Sequence, residues 1–272
     1  MIPKYVLSFG VFMAFFLTTA AVTSARSQED SVQPDKNATK ILFIGNSLTY
    51  FNDMPGMLRK MAKKTGKNVL VDEATMGGAS PADHLESSRT RGKINSRKWD
   101  YVIIQQGSGQ VAFPEKHKYI LPDIRELKKR ILDNYAKTRI LFFMDISMKN
   151  GIHWNKKYYT YAESQDMLCR GTLKLTEDLD FIVAPVGRTW TGIVKNHPAI
   201  DLYHPDEVHP SYAGSYLQAC VYFATIFRER AVGNGFTGTL DKKRASILQA
   251  AASRTVLDNP ERWGLVIAKL PT

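Results

Sequence analysis

Cysteine is almost missing from this sequence: only Cys169 and Cys220 occur in 272 residues. A disulfide framework and a cysteine-based zinc cage are thereby excluded. The glycine-rich phosphate loops are missing too. The turn after the first internal apolar run, Gly45-Asn46-Ser47-Leu48-Thr49, contains neither GxGxxG nor GxxxxGK followed by Ser or Thr, so dinucleotide and P-loop sites fail at their first requirement. His153, His197, His204 and His209 have no HExxH-like spacing, and neither a metal nor a cofactor is expected. There is no internal repeat, and a long hydrophobic run occurs only at the N-terminus, which argues against a multi-span membrane protein. Acidic residues are outnumbered 26 to 37, for a formal charge of +11. The basic residues are scattered pairs (Lys63-Lys64, Lys128-Lys129, Lys156-Lys157, Lys242-Lys243) rather than one dense patch. Such a surface suits anionic polymers or a negatively charged envelope. With no aromatic-basic motif beside the charge, no nucleic-acid partner is expected.

What is present organises the chain. Lys4 precedes an apolar run over residues 5–22, and the small residues Thr23 and Ala25 follow. That order reads as a secretory signal peptide over 1–25, cleaved after Ala25, and so as a secreted or periplasmic protein with no membrane attachment once cleaved. The alternative is an uncleaved anchor. No cysteine stands at the cleavage region, against a lipid-anchored form. In an oxidising compartment Cys169 and Cys220 either pair or remain as two buried thiols on helices. Residues 26–39 are polar and read as a disordered leader, and 40–272 as one domain. Within it, apolar runs at 40–45 (KILFIG), 68–73, 100–105 (DYVIIQ), 139–145 (RILFFMD) and 181–184 predict strands. Amphipathic stretches predict helices between them: from Met54 to a stop at Gly66, from Pro122 onward, over 158–178, over 211–230 and over 241–257. Near-continuous apolar strands alternating with helices specify a parallel sheet covered on both faces. With right-handed crossovers, the expected fold is α/β, a three-layer α/β/α sandwich on about five parallel strands. Chemistry is then sought at the carboxyl ends of the strands.

Four features fall there. Ser47 lies just past the first strand, at the start of a helix whose backbone N–H groups favour a developing anion; the alternative is a plain helix cap. Met76-Gly77-Gly78-Ala79-Ser80 follows the second strand, and its glycines either let backbone N–H groups approach a ligand or form a tight turn. Gln105-Gln106-Gly107-Ser108 ends the third strand. Alternation along a strand sends one of the two amides to the site. Asp206-Glu207-Val208-His209-Pro210-Ser211 precedes a long helix. Asp206 and His209 are close enough for the carboxylate to orient the imidazole and support it when charged; otherwise they are a turn cap and a surface histidine.

A serine, paired glycines, a polar strand end and Asp-x-x-His, in this order, resemble the SGNH (GDSL-type) hydrolase family over residues 40–230, with its flavodoxin-like sandwich. The resemblance implies Ser47 as nucleophile, His209 as base and Asp206 as its orienting carboxylate. It implies an oxyanion hole from the Ser47 and Gly78 N–H groups, with Gly77 as alternative to Gly78. Asn46 stands where many members have Asp. The third block departs from the pattern, since aligning Gly107 with the family's Gly-x-Asn-Asp puts Gly109 at the asparagine. The sequence is more similar to the branch containing sialate O-acetylesterase-type carbohydrate esterases, which implies Gln106 as the third donor and Gln105 as its alternative. The implied activity is hydrolysis of O-acetyl esters on a glycan through an acyl-serine, with no cofactor. Acyl transfer to a sugar acceptor, or silent glycan binding, are the alternatives. The partner is then an acylated glycan or polysaccharide. Asn46, Arg188, Trp190 and His204 are candidates to contact it, and Trp154, Tyr158, Tyr159, Trp190 and Tyr203, in or near expected loops, are candidates to stack on sugar rings.

Overall fold

Alternation along the first strand sets up both halves of the core. In β1 (Thr39–Gly45), Ile41 and Phe43 face one side of the sheet, while Leu42 and Ile44 face the other; all four are buried. The computed structural model describes residues 37–107, 109–177 and 179–265, so the expected signal peptide (1–25) and the leader up to 36 lie outside the described residues. β1 pairs in parallel with β2 (Val69–Thr75) on one side and β3 (Tyr101–Ile104) on the other. β4 (Arg139–Phe143) and β7 (Ile182–Ala184) extend the sheet in the order β2-β1-β3-β4-β7. All its pairings are parallel. The expected five-stranded α/β/α sandwich is the observed architecture.

The helices cover both faces. α2 (Met54–Lys64), α7 (Val186–Asn196), α8 (Tyr212–Phe227) and α9 (Lys242–Leu257) pack with Ile41 and Phe43. α4 (Ser88–Asn95), α5 (His117–Asn134) and α6 (Tyr161–Thr176) contribute to the cluster with Leu42 and Ile44. Burying each such Leu, Ile or Phe stabilises the fold by about 1.5–3 kcal/mol. Residues 213–226 of α8 are buried without exception, as expected for a helix with no polar stripe, here packed between α2 and α9. Among the described residues no helix is long and apolar enough to cross a membrane. Cys169 in α6 and Cys220 in α8 are buried free thiols.

The structure corrects several boundaries. β1 begins at Thr39 and Ala38 is buried, so the tail of the expected leader is already part of the fold. α5 starts at His117, five residues before expected, and keeps Pro122 inside it. The missing N–H removes one helical bond, tolerated because Pro122 lies on the exposed face. The helix expected from 158 starts at Tyr161. The residues before it form a hairpin, β5 (Ile152–Trp154) with β6 (Lys157–Tyr159). Its turn is Asn155-Lys156, both at positive φ (47° and 65°), the backbone of a two-residue hairpin turn. Finally, Trp190, expected in or near a loop, lies within the helix α7.

Candidate active site

The strand order reverses between β1 and β3: the chain moves outward to β2, then returns to the opposite side. Loops leaving adjacent strands in opposite directions open a crevice at their carboxyl ends. The turns after β1, β2 and β3 meet there. After β1, Asn46 caps the single-turn helix α1 (Ser47–Tyr50), accepting from the Leu48 N–H at 3.1 Å. This leaves Ser47 half-buried as its first residue.

Asn46 is held from both sides. Gln105, at the end of β3, accepts from the Asn46 N–H (3.0 Å) and the Thr49 hydroxyl (2.6 Å), and donates Nε2–H to Asn46 Oδ1 (2.8 Å). The Asn46 amide in turn donates to the Ala79 carbonyl (3.2 Å) after β2. The Met76 N–H bonds to the Gly45 carbonyl, docking the Gly77-Gly78 turn beside Ser47. Gly78 has φ +69°, a left-handed conformation that glycine adopts without strain. Gly107, also at positive φ, leaves the space that the Asn46 amide occupies. His84 in α3 (Pro81–Glu86) supports the same floor, with Nε2 3.0 Å from the Gly45 carbonyl and Nδ1 2.8 Å from the Thr90 hydroxyl. A carbonyl only accepts, so Nε2 carries the proton. Burial lowers the pKa of this imidazole, which favours its neutral form.

Across the crevice, the chain before α8 folds into a short hairpin closed by the Tyr203–Pro210 bridge and by the His204 N–H on the His209 carbonyl. It brings His209 Nε2 to 2.8 Å from Ser47 Oγ, over 162 residues of sequence. His209 Nδ1 lies 2.8 Å from Asp206 Oδ2. Asp206 Oδ1 accepts from the backbone N–H groups of His209 (2.9 Å) and Val208 (3.0 Å). Those two donors, more than the imidazoles, hold the carboxyl well below the usual carboxylate range. An ionised Asp206 can only accept, so Nδ1 bears the proton and the bare Nε2 accepts from the serine hydroxyl. The Phe51 ring stacks on His209 at 4.2 Å with planes 6° apart, fixing the imidazole's tilt.

Contacts of high sequence separation lock the two halves together. Asn52 sits at φ 55°, which asparagine tolerates better than most residues. Its amide donates to the Pro210 carbonyl (3.0 Å) and to Ser215 Oγ (2.9 Å), and Ser215 returns a bond to the Phe51 carbonyl. On the other flank, the Lys149 N–H donates to the Glu207 carbonyl (2.9 Å), and the Lys149 ammonium pairs with Asp201 (2.7 Å). The Asn150 amide reaches Glu207 Oε2, and Tyr158 of the β5–β6 hairpin donates to the Asn150 carbonyl.

The structure thus brings together Ser47, His209 and Asp206, with the glycine turn beside them. Four expectations need correction. Asn46 was a candidate substrate contact, but it is 3 % exposed and its side chain is committed to Leu48, Ala79 and Gln105. Gln105 was the alternative oxyanion donor, but its amide bonds Asn46 and its carbonyl carries the floor of the site. Trp190 is wholly buried in α7, edge-on to Tyr203, which is itself buried with its hydroxyl on the Ser147 carbonyl. Neither can stack on a sugar. Arg188 is exposed on α7, where its charge is felt by Cys169 of α6. Gln106 is buried at the end of β3. Trp154 stacks on Phe113, whereas Tyr158 is exposed. His204 lies beside Asp206. Sequence reasoning missed His84, Thr49, Phe51 and Asn52; only the Asn52-Asp53 pair, both at positive φ, carried a local signal.

The sheet, its order and this crevice make the fold that of the SGNH hydrolases. No family model matches the chain, and no curated protein matches it. Solved structures do. A DUF4886 family protein from Bacteroides uniformis superposes with a TM-score of 0.69 at 18% identity, over 81% of this chain and 95% of that one. A protein from Slackia heliotrinireducens assigned to the SGNH hydrolases gives 0.55 at 26% identity, over 70% of this chain and 100% of that one. An acetyl xylan esterase gives 0.53 at 17% identity, over 69% and 99%.

Proposed function

We propose that this chain is an exported serine ester hydrolase whose nucleophile is Ser47, acting on O-acetyl groups of a glycan or polysaccharide. The observation that carries the reading is the continuous relay Ser47–His209–Asp206, with both links at 2.8 Å. His209 Nε2 takes the hydroxyl proton as Ser47 Oγ attacks the ester carbonyl. The oxyanion is received by the Ser47 and Gly78 N–H groups and the Gln106 amide. One well-aimed donor of this kind is worth about 3 kcal/mol in the transition state. His209 then gives its proton to the departing alcohol, leaving an acyl-serine. Water, deprotonated by the same imidazole, releases the acid and restores the hydroxyl. Asp206 stays ionised throughout, holding the tautomer and stabilising the imidazolium.

The acetylated-glycan reading is supported by the likeness to an acetyl xylan esterase fold and by the aromatic border of the crevice. Tyr50 is exposed, its ring stacked against Phe51, and its hydroxyl is 3.5 Å from where a side chain at Gly77 would begin. An exposed ring at the mouth of an open site offers a sugar a face to stack on. A cleft of about 490 Å3 elsewhere, lined by Lys128, Arg139, Phe181 and Arg228, lies toward the amino-terminal ends of β4 and β7, away from Ser47. Export rests on the N-terminal residues 1–25. The test is acetate release from a panel of acetylated polysaccharides beside a nitrophenyl acetate control. Ser47→Ala is expected to abolish both. Wild-type turnover by that variant would end the proposal.

A further inference from the structure

The carboxylate that orients His209 has a second imidazole on it. His204 Nδ1 lies 3.0 Å from Asp206 Oδ2, the same oxygen that His209 Nδ1 meets at 2.8 Å. The same His204 nitrogen is also 3.4 Å from the Asp206 backbone N–H. It cannot serve both partners at once: unprotonated it accepts from the N–H, and protonated it donates to the carboxylate. Both rings also pack on one side chain, since Phe51 stacks on His209 and meets the His204 edge at 5.7 Å.

We propose that His204 is a positioning residue that competes with His209 for Asp206 and so sets the acid side of the activity profile. The inference rests on the serine-esterase reading. When His204 takes a proton, Asp206 Oδ2 is shared and a second positive charge stands beside His209. Both effects disfavour the imidazolium of His209, keeping its Nε2 free to act as base at lower pH. The other charged groups around His204 are Glu207 on its own hairpin and the Lys149–Asp201 pair at the hairpin's base. The turn carrying Phe51 also carries Asp53, which is paired with Lys60.

Two variants separate the parts. His204→Phe keeps a ring against Phe51 but has neither donor nor charge. His204→Asn keeps an amide near the Nδ1 position but does not titrate. Two unit charges about 6 Å apart in watery surroundings disfavour each other by about half a pH unit. In kcat/KM for nitrophenyl acetate against pH at low salt, His204→Phe should move the acid midpoint up by about that much. That is roughly a threefold loss at the acid end. His204→Asn should move it less, and salt of about 1 M should shrink both shifts. A His204→Phe profile that superposes on the wild type overturns the proposal, as does a uniform loss at every pH with an unmoved midpoint. Ser47→Ala keeps the two readings apart. Wild-type turnover there sinks the esterase itself, whereas an inactive Ser47→Ala with an unmoved His204→Phe midpoint sinks only the role of His204.

Discussion

Gln105→Leu tests whether the nucleophile turn is held by the floor beneath it. The substitution keeps similar volume but deletes three hydrogen bonds, all inside the protein: to the Asn46 N–H, the Thr49 hydroxyl and Asn46 Oδ1. Asn46 Oδ1 retains the Leu48 N–H, so the orphaned groups are the Asn46 N–H and the Thr49 hydroxyl. Leaving a buried donor unpaired costs about 1–3 kcal/mol, so the two together should cost the variant about 2–6 kcal/mol. In a domain of this size each kcal/mol moves Tm by about 2–4 °C, giving a fall of about 4–24 °C. The peptide that relaxes is the one entering Asn46, the residue before Ser47, and a displacement of about 1 Å at the reacting atom costs on the order of 100-fold in rate. Thr49→Val is the graded control. It removes one hydroxyl while Gln105 still accepts from the Asn46 N–H, and should cost about 1 kcal/mol with little loss of rate. Thermal melts and kcat on nitrophenyl acetate decide it. If Gln105→Leu melted and turned over like the wild type, the clamp would be irrelevant to the site.

Other substitutions probe separate parts. Asp145, buried at the end of β4, has its carboxyl pushed up to about 7 by desolvation, opposed by one bond from the Ile146 N–H. Because the folded state holds this proton where the unfolded chain releases it, the contribution of Asp145 to stability falls as pH rises from about 4 to 7. Urea unfolding should show Asp145→Asn gaining on the wild type across that window, by up to roughly 4 kcal/mol; parallel stability curves would contradict it. Asn52→Gly preserves the backbone freedom but drops the bonds to Pro210 and Ser215, so kcat should fall about tenfold or more while folding is retained. Equal kcat would mean the two halves do not need that tie. Asp206→Asn should reduce kcat by about 100-fold to 10,000-fold through loss of the orienting anion, and steady-state kinetics near neutral pH would reveal a smaller role. Trp190→Ala should cost about 3–5 kcal/mol of stability. A variant that instead kept its stability and raised KM for a polysaccharide would restore Trp190 to the site.

The strands were legible because each is a short apolar run flanked by polar turns, and the parallel order follows from their separation by helices. That Ser47, His209 and Asp206 could meet, as they do, was legible from their places at a strand end or before a helix, where few other reactive side chains compete. The supporting residues were not. Gln105 and Asn46 are 59 positions apart, and Asn52 and Pro210 are 158 apart. Nothing local tells a buried amide that bonds a backbone from one that faces a substrate. Trp190 reads as near a loop because it follows the last strand closely, although Val186, Trp190 and Ile193 share the buried face of α7 at helical spacing. The β5–β6 hairpin hid because its strands are three residues each, too short for alternation to register, and its turn depends on positive φ at Asn155 and Lys156. Pro122 misplaced a helix start because proline is most at home in a first turn, whereas here it sits on an exposed face in the second.

The account depends on Ser47 being made nucleophilic by His209. A fluorophosphonate probe followed by peptide mass analysis measures this directly. The account predicts one adduct, on Ser47, formed in the wild type and lost in His209→Asn. An adduct on another residue, or labelling of Ser47 at an undiminished rate without His209, would contradict it.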